Sequence, residues 1–202
     1  MIYICGDSFC VSDIQYGPMW VDLLAQRFPV CNLAQVAATN VLIAQQVQRA
    51  IADHAAFVIL HATAVTRSQK RMGNQYHPFS YHTASTTTTS FTQDQLETIK
   101  RWYTEFFDLE LAVFENSIII EHSIRSLIDV GIAFRFDQGG FEHPNFGDVR
   151  TDWFSKYNQY RSELNLWSMT DTRAYRPYYH ITDRQKHQDI AAYYTKVIEL
   201  CL

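Results

Sequence analysis

The first residues able to do chemistry are Asp7 and Ser8, in the opening segment MIYICGDSFC. Ile2 to Cys5 reads as an apolar strand, and Gly6 breaks it. In open α/β sheets, ligands bind at the edge formed by the carboxyl ends of the strands. A serine at that edge is a candidate nucleophile. Its hydroxyl reacts poorly until a neighbouring base takes its proton. His180, in the loop before the last expected helix, closes the same edge and is the candidate base. Backbone N–H groups of Ser8 and near Ala37 are expected to face the same point and to hold an oxyanion.

The elements that must position these groups follow from periodicity. Ile2–Cys5, Val30–Leu33 and Phe57–Leu60 read as strands. Between them, Trp20, Leu23, Leu24 and Phe28 mark one helical face, and Leu42, Ile43, Val47 and Ile51 another. This β-α-β-α-β order suits a parallel sheet. His61 to Thr92 then loses periodicity and reads as a long polar loop, a candidate lid or binding loop. Helical spacing returns from Asp94 to Val130, over one long helix or two. Ile132–Phe136 reads as a fourth strand, Asp152–Leu164 as a short helix, Leu166–Met169 as a fifth strand and Asp183–Leu200 as the closing helix. No repeat or linker divides the chain. The expectation is one α/β domain over residues 1–202, with a polar insertion at about 61–93.

Composition narrows the function. The 202 residues are 47% hydrophobic and 14% aromatic, enough for a large core. The net charge of -4 argues against a nucleic-acid partner held by a basic face. No apolar run reaches the length of a membrane span. The start of the chain lacks the pattern of a secretory signal, so synthesis in the cytoplasm is expected. Cys5, Cys10, Cys31 and Cys201 form no C-x-x-C and are read as reduced thiols. His77, His82, His122 and His143 lack metal-ligand spacing, so neither a metal nor another cofactor is expected.

These blocks resemble the SGNH (GDSL-type) hydrolase superfamily. Gly6-Asp7-Ser8-Phe9 matches the family's nucleophile motif directly after its first strand. Asn32-Leu33-Ala34-Gln35-Val36-Ala37-Ala38-Thr39-Asn40 is similar to its second block, N-x-A/G-x-x-G-A-S/T-N. His180-Ile181-Thr182 before the last helix is similar to the block that carries the base. The resemblance implies a three-layer, flavodoxin-like fold and hydrolysis of esters, often acyl groups on sugars or lipids. It implies a small-molecule or polysaccharide ester as substrate, with an acetylated carbohydrate as one case. The middle of the chain also resembles, in outline, small proteins of this kind encoded by bacteriophages. That likeness suggests membership of a larger assembly such as a virion.

The chain departs from the family's pattern at three points. Ala37 stands where the second block has glycine. In the third block Thr63 stands for the asparagine of the oxyanion hole, and His61 for glycine. The acid that normally lies three residues before the histidine is replaced by Pro177, leaving Asp171, Asp183 or a backbone carbonyl to orient the ring. Asp7 is read as bracing the nucleophile loop, and with His61 and Arg67 as lining the substrate side. Arg67 is read as a solvated basic turn or as a holder of an anionic group. Trp153, Trp167 and the tyrosines between Tyr175 and Tyr179 are candidates for stacking on sugars or for core packing. The rival to a hydrolase is a catalytically decayed SGNH fold that serves as a structural or carbohydrate-binding protein. A flavodoxin-like nucleotide binder is disfavoured by the lack of a Gly-rich phosphate loop.

Overall fold

The structure is a computed structural model that describes residues 1–12, 18–72, 75–79, 91–139, 151–166, 169 and 181–202. Its centre is a parallel sheet in the order β2-β1-β3-β6, formed by β1 (Ile2–Cys5), β2 (Val30–Asn32), β3 (Phe57–His61) and β6 (Ala133–Asp137). Every residue of β1 and β3 is buried. Such unbroken apolar runs belong to the inner strands of a parallel sheet covered on both faces.

Side-chain alternation assigns the two faces. Tyr3, Cys5, Val58, Leu60, Phe134 and Phe136 point to one core, covered by α2 (Asn40–Ala52) and α4 (Leu109–Asp129) through Ile43, Val47, Ile120, Ile124 and Leu127. Ile2, Ile4, Phe57 and Ile59 point to the other, covered by α1 (Trp20–Ala25) and α5 (Arg184–Cys201) through Trp20, Leu24, Ile190, Tyr194 and Ile198. Each of these large side chains contributes roughly 1.5–3 kcal/mol when fully buried. The result is a three-layer α/β sandwich. Its helix starts are capped: Thr39 accepts from the Leu42 N–H, Asp108 from Leu111 and Asp183 from Gln185.

Two regions differ from the sequence reading. The stretch expected as a long loop contains an antiparallel hairpin, β4 (Ser68–Met72) and β5 (Gln75–Phe79). Pro78 lies within β5, which a two-stranded hairpin tolerates because each strand has a free edge. Asp94 to Val130, read as one long helix or two, is two, α3 (Gln93–Glu105) and α4. A 3-10 helix spans Thr151–Tyr160 where a short helix was expected. It docks on α4 through Glu121, which accepts from Trp153 Nε1 at 2.9 Å, Tyr157 Oη at 3.0 Å and Lys156 Nζ at 2.8 Å. In the stretch read as a fifth strand, Met169 N–H donates to the Leu166 carbonyl, and residues 167–168 lie outside the described set.

Candidate active site

The carboxyl edge of the sheet collects the candidate residues. After β1, Gly6 is held by the buried Gln46 of α2. The Gly6 N–H donates to Gln46 Oε1 at 2.7 Å, and Gln46 Nε2 donates to the Gly6 carbonyl at 3.3 Å. A Cβ on Gly6 would lie 2.8 Å from Cys10 Sγ and 3.1 Å from His61 Cβ, so the close approach requires glycine. Asp7 then caps a single 3-10 turn, Ser8–Cys10, by accepting the Phe9 N–H at 3.0 Å. Trp20 Nε1 donates to the Phe9 carbonyl at 2.9 Å and ties this turn to α1. Ser8 is half-buried, and its hydroxyl and N–H bond to none of the described residues.

The second block lies alongside. Asn32 Nδ2 donates to the Cys10 carbonyl at 2.7 Å, and the Gln35 N–H donates to the Gly6 carbonyl at 3.2 Å. Ala37 has φ +60°, the left-handed region that glycine adopts without strain. The chain therefore keeps the turn that a glycine would make and carries the strain of a Cβ there. The Ala37 N–H bonds to none of the described residues.

The third block is bound to the second. Asn40 accepts the Thr63 N–H at 2.9 Å and donates to the Thr63 carbonyl at 3.1 Å. The Thr63 hydroxyl donates to Asp7 Oδ2 at 2.6 Å, so its proton is committed to a buried carboxylate. Arg67 Nη1 lies 3.0 Å from the same oxygen and 3.4 Å from the Ala38 carbonyl.

His61 is the centre of this cluster. Its ring is fully buried, with Nδ1 3.0 Å from Asp137 Oδ2 and Nε2 3.5 Å from Asp7 Oδ1. The longer contact is an ion-pair distance but not a well-aligned hydrogen bond. Asp137 ends β6 and also accepts from the Gly139 and Leu166 N–H groups, each at 2.9 Å. Burial lowers the His61 pKa, but the Asp137 and Asp7 carboxylates outweigh it and hold the imidazole above its ordinary value. Burial pushes the Asp7 carboxyl up, and Arg67, His61 and Thr63 together pull it below its ordinary value. Two carboxylates, a guanidinium and an imidazole therefore share one buried cluster beside the Ser8 turn.

The structure thus gathers Asp7, His61, Thr63 and Arg67 around Ser8's own loop, with Ala37 on the adjoining one. His180, Asp171 and Tyr175 to Tyr179 lie outside the described residues. The Asp183 carboxylate is exposed and caps α5 by accepting the Gln185 N–H at 2.7 Å. His187, on α5, is buried. Its Nδ1 accepts the Trp20 N–H at 3.3 Å and its Nε2 donates to the Ile181 carbonyl at 3.0 Å. Trp153 packs edge to face on Phe114 and donates to Glu121, so it serves the join of the 3-10 helix to α4. Asp137 and Gln46 escaped the sequence reading. Asp137 carried a usable signal, an acid closing a strand at the edge that also holds Ser8. Among the described residues, no group of three or more metal-ligating side chains converges, and no helix is long and apolar enough to cross a membrane.

The sheet order, the paired helical layers and the serine turn after β1 define a three-layer α/β fold of the SGNH (GDSL-type) hydrolase kind. Two solved structures share it. One is a Bacteroides fragilis protein provisionally described as an acylhydrolase, with TM-score 0.53 and 10% identity over 98% of this chain and 86% of that one. The other is a GDSL-like lipase from Bacteroides thetaiotaomicron, with TM-score 0.51 and 11% identity over 100% of this chain and 88% of that one. At such identity the likeness is one of fold. No protein-family profile matches the chain, and no curated protein does.

Proposed function

We propose that the protein is a serine ester hydrolase with Ser8 as nucleophile. The observation that carries this reading is the Ser8 turn itself. A buried, braced Asp7 fixes the turn, and the serine hydroxyl stands at the carboxyl edge of β1 with no partner among the described residues. Ser8 Oγ attacks the ester carbonyl while His180 takes its proton. The Ser8 and Ala37 N–H groups hold the oxyanion, as backbone donors do in acyl transfer. The alcohol leaves with the proton from His180, and water then attacks the acyl-serine, giving the acid and free Ser8.

The Thr63 geometry favours one rival, a fold that binds an acylated ligand without turning it over. A hydroxyl spent on Asp7 leaves the hole to backbone donors alone. Turnover of para-nitrophenyl acetate by wild type and Ser8→Ala separates the two readings. The hydrolase reading expects a loss of at least 10³-fold in Ser8→Ala, on the order of removing a catalytic nucleophile. It also expects a fluorophosphonate probe to label Ser8 alone. Equal rates for the two proteins, with no labelling of Ser8, reject it.

A further inference from the structure

A second feature of the molecule lies beside the ionic cluster. The hairpin, α3 and the first half of α4 border a cavity of about 700 Å³, within the range of small-molecule sites. Its apolar wall includes Phe79, Phe91, Ile99, Trp102, Leu111 and Ile119. Phe79 meets Phe91 and Trp102 edge to face at 6.4 and 6.2 Å, which sets a ring-lined floor. Four of the large apolar side chains that remain exposed, Val41, Trp102, Phe106 and Leu111, line this cavity. Apolar surface gathered in one concave place marks a ligand site more than scattered exposure does.

The cavity wall is tied by polar contacts to the nucleophile loop and to the loop beside it. Arg67 lines it and places Nη1 on Asp7, the residue before Ser8. Thr39 lines it too, two residues beyond Ala37, and its hydroxyl donates to Gln69 Oε1 of the hairpin at 2.8 Å. Tyr103 holds the hairpin side in place by donating to the Thr66 carbonyl at 2.6 Å. Burial pushes its phenol up to about 12, so it stays a donor.

The charges on the wall decide what enters. Among the described residues of the wall, Asp94, Asp108 and Glu115 accompany one guanidinium, that of Arg67, which already serves Asp7. These described charges offer an anionic group no free partner, and an acetyl group fills little of the space. We propose that the cavity binds an uncharged, unbranched, medium-length acyl chain, the acyl part of the ester cleaved at Ser8. The ester rests on the hydrolase reading above, whereas the apolar-chain site does not. Among the ester substrates expected from sequence, this selects one recognised by its acyl chain.

The test compares para-nitrophenyl acetate, butyrate and octanoate with wild type, Ser8→Ala and Thr98→Trp. In parallel, n-octanol binding is mapped by amide chemical shifts. Thr98 is an exposed α3 residue on the cavity, so a tryptophan there adds bulk to the site without entering the core. Each fully buried methylene is worth about fourfold in affinity, so wild type should prefer octanoate over acetate by at least about tenfold in kcat/KM. Thr98→Trp should bring that ratio back towards one and abolish octanol shifts in α3 and α4. Equal use of acetate and octanoate, with no octanol shifts in those helices, overturns the chain site and leaves Ser8 hydrolysis standing. Octanol binding that Thr98→Trp removes, with ester turnover no better than in Ser8→Ala, keeps the chain site and overturns the hydrolase.

Discussion

Replacing Asp7 by asparagine tests the buried cluster most directly. The substitution keeps the shape and removes one charge from a set in which Asp7 and Asp137 face Arg67 and His61. Asparagine also cannot satisfy the site. Oδ2 accepts from both Thr63 Oγ1 and Arg67 Nη1, while Oδ1 accepts from the Phe9 N–H. Whichever position takes the amide nitrogen then sets donor against donor. Breaking a buried ion pair from one side costs about 3–5 kcal/mol. Because the Arg67 side chain keeps 18% exposure, the lower end applies, about 3 kcal/mol. Urea unfolding of wild type and Asp7→Asn measures this, provided the m-value is unchanged. Adding Arg67→Met should show coupling of about 0.5–3 kcal/mol, because it removes the cation left unpaired. A loss under about 1 kcal/mol, within the ordinary run of single substitutions, refutes the account of Asp7 as the anchor of the Ser8 turn.

Thr63→Val removes the hydroxyl on Asp7 and should cost about 1.5–3 kcal/mol, the range for a hydrogen bond to a charged group. Its effect on turnover should stay well below the roughly 10²–10³-fold that loss of an oxyanion donor causes, and esterase kinetics will tell. Ala37→Gly relieves a left-handed alanine and should stabilise by about 0.5–1 kcal/mol, read as a rise in the urea midpoint with ester turnover retained. Stability should also depend on pH with opposite signs at the two histidines. The raised His61 contributes fully below the ordinary imidazole range and loses that contribution as pH rises through its folded value. The lowered Asp7 contributes above the ordinary carboxylate range and loses it as pH falls through its folded value. His187 is lowered by burial and supports the fold above the ordinary imidazole range, fading as pH falls. The stability gap between wild type and His61→Asn should therefore shrink as pH rises past the imidazole range, and a pH-independent gap contradicts this.

What could be read from the chain was what burial writes into it. β1 and β3 are unbroken apolar runs, and the helical stripes of α2 and α5 follow their buried faces, whereas on α4 the apolar Leu111, Phe114 and Ile118 are exposed and small or polar Ala112, Ser117 and Ser123 are buried. The hairpin was hidden because Ser68–Met72 is polar and Pro78 argues against a strand. The break between α3 and α4, left open in the sequence between one helix and two, falls where Asp108 caps α4. Ser8 and the loop around Ala37 are marked by their position after strand ends, and Thr63 by the resemblance of the third block. Gln46 was not, because a polar residue on an amphipathic helix reads as solvent-facing until its peptide partner, Gly6, is known.

The departures at the third block are one change rather than two. With His61 in place of glycine, the ring fills the space between Gly6, Phe9 and Gly139 and brings a second basic group to Asp7 and Asp137. With threonine in place of asparagine, the side chain is short enough to end on Asp7 rather than at the oxyanion. The cluster is then neutral only while His61 is protonated, and a buried net charge is costly. Catalysis makes the opposite demand on the proposed base, because His180 accepts a proton only when its imidazole is neutral. Ester turnover should fall at high pH as His61 loses its proton. His61→Asn should abolish this alkaline fall. An alkaline limb that survives in this variant would show that the charge state behind Ser8 does not reach the chemistry in front of it.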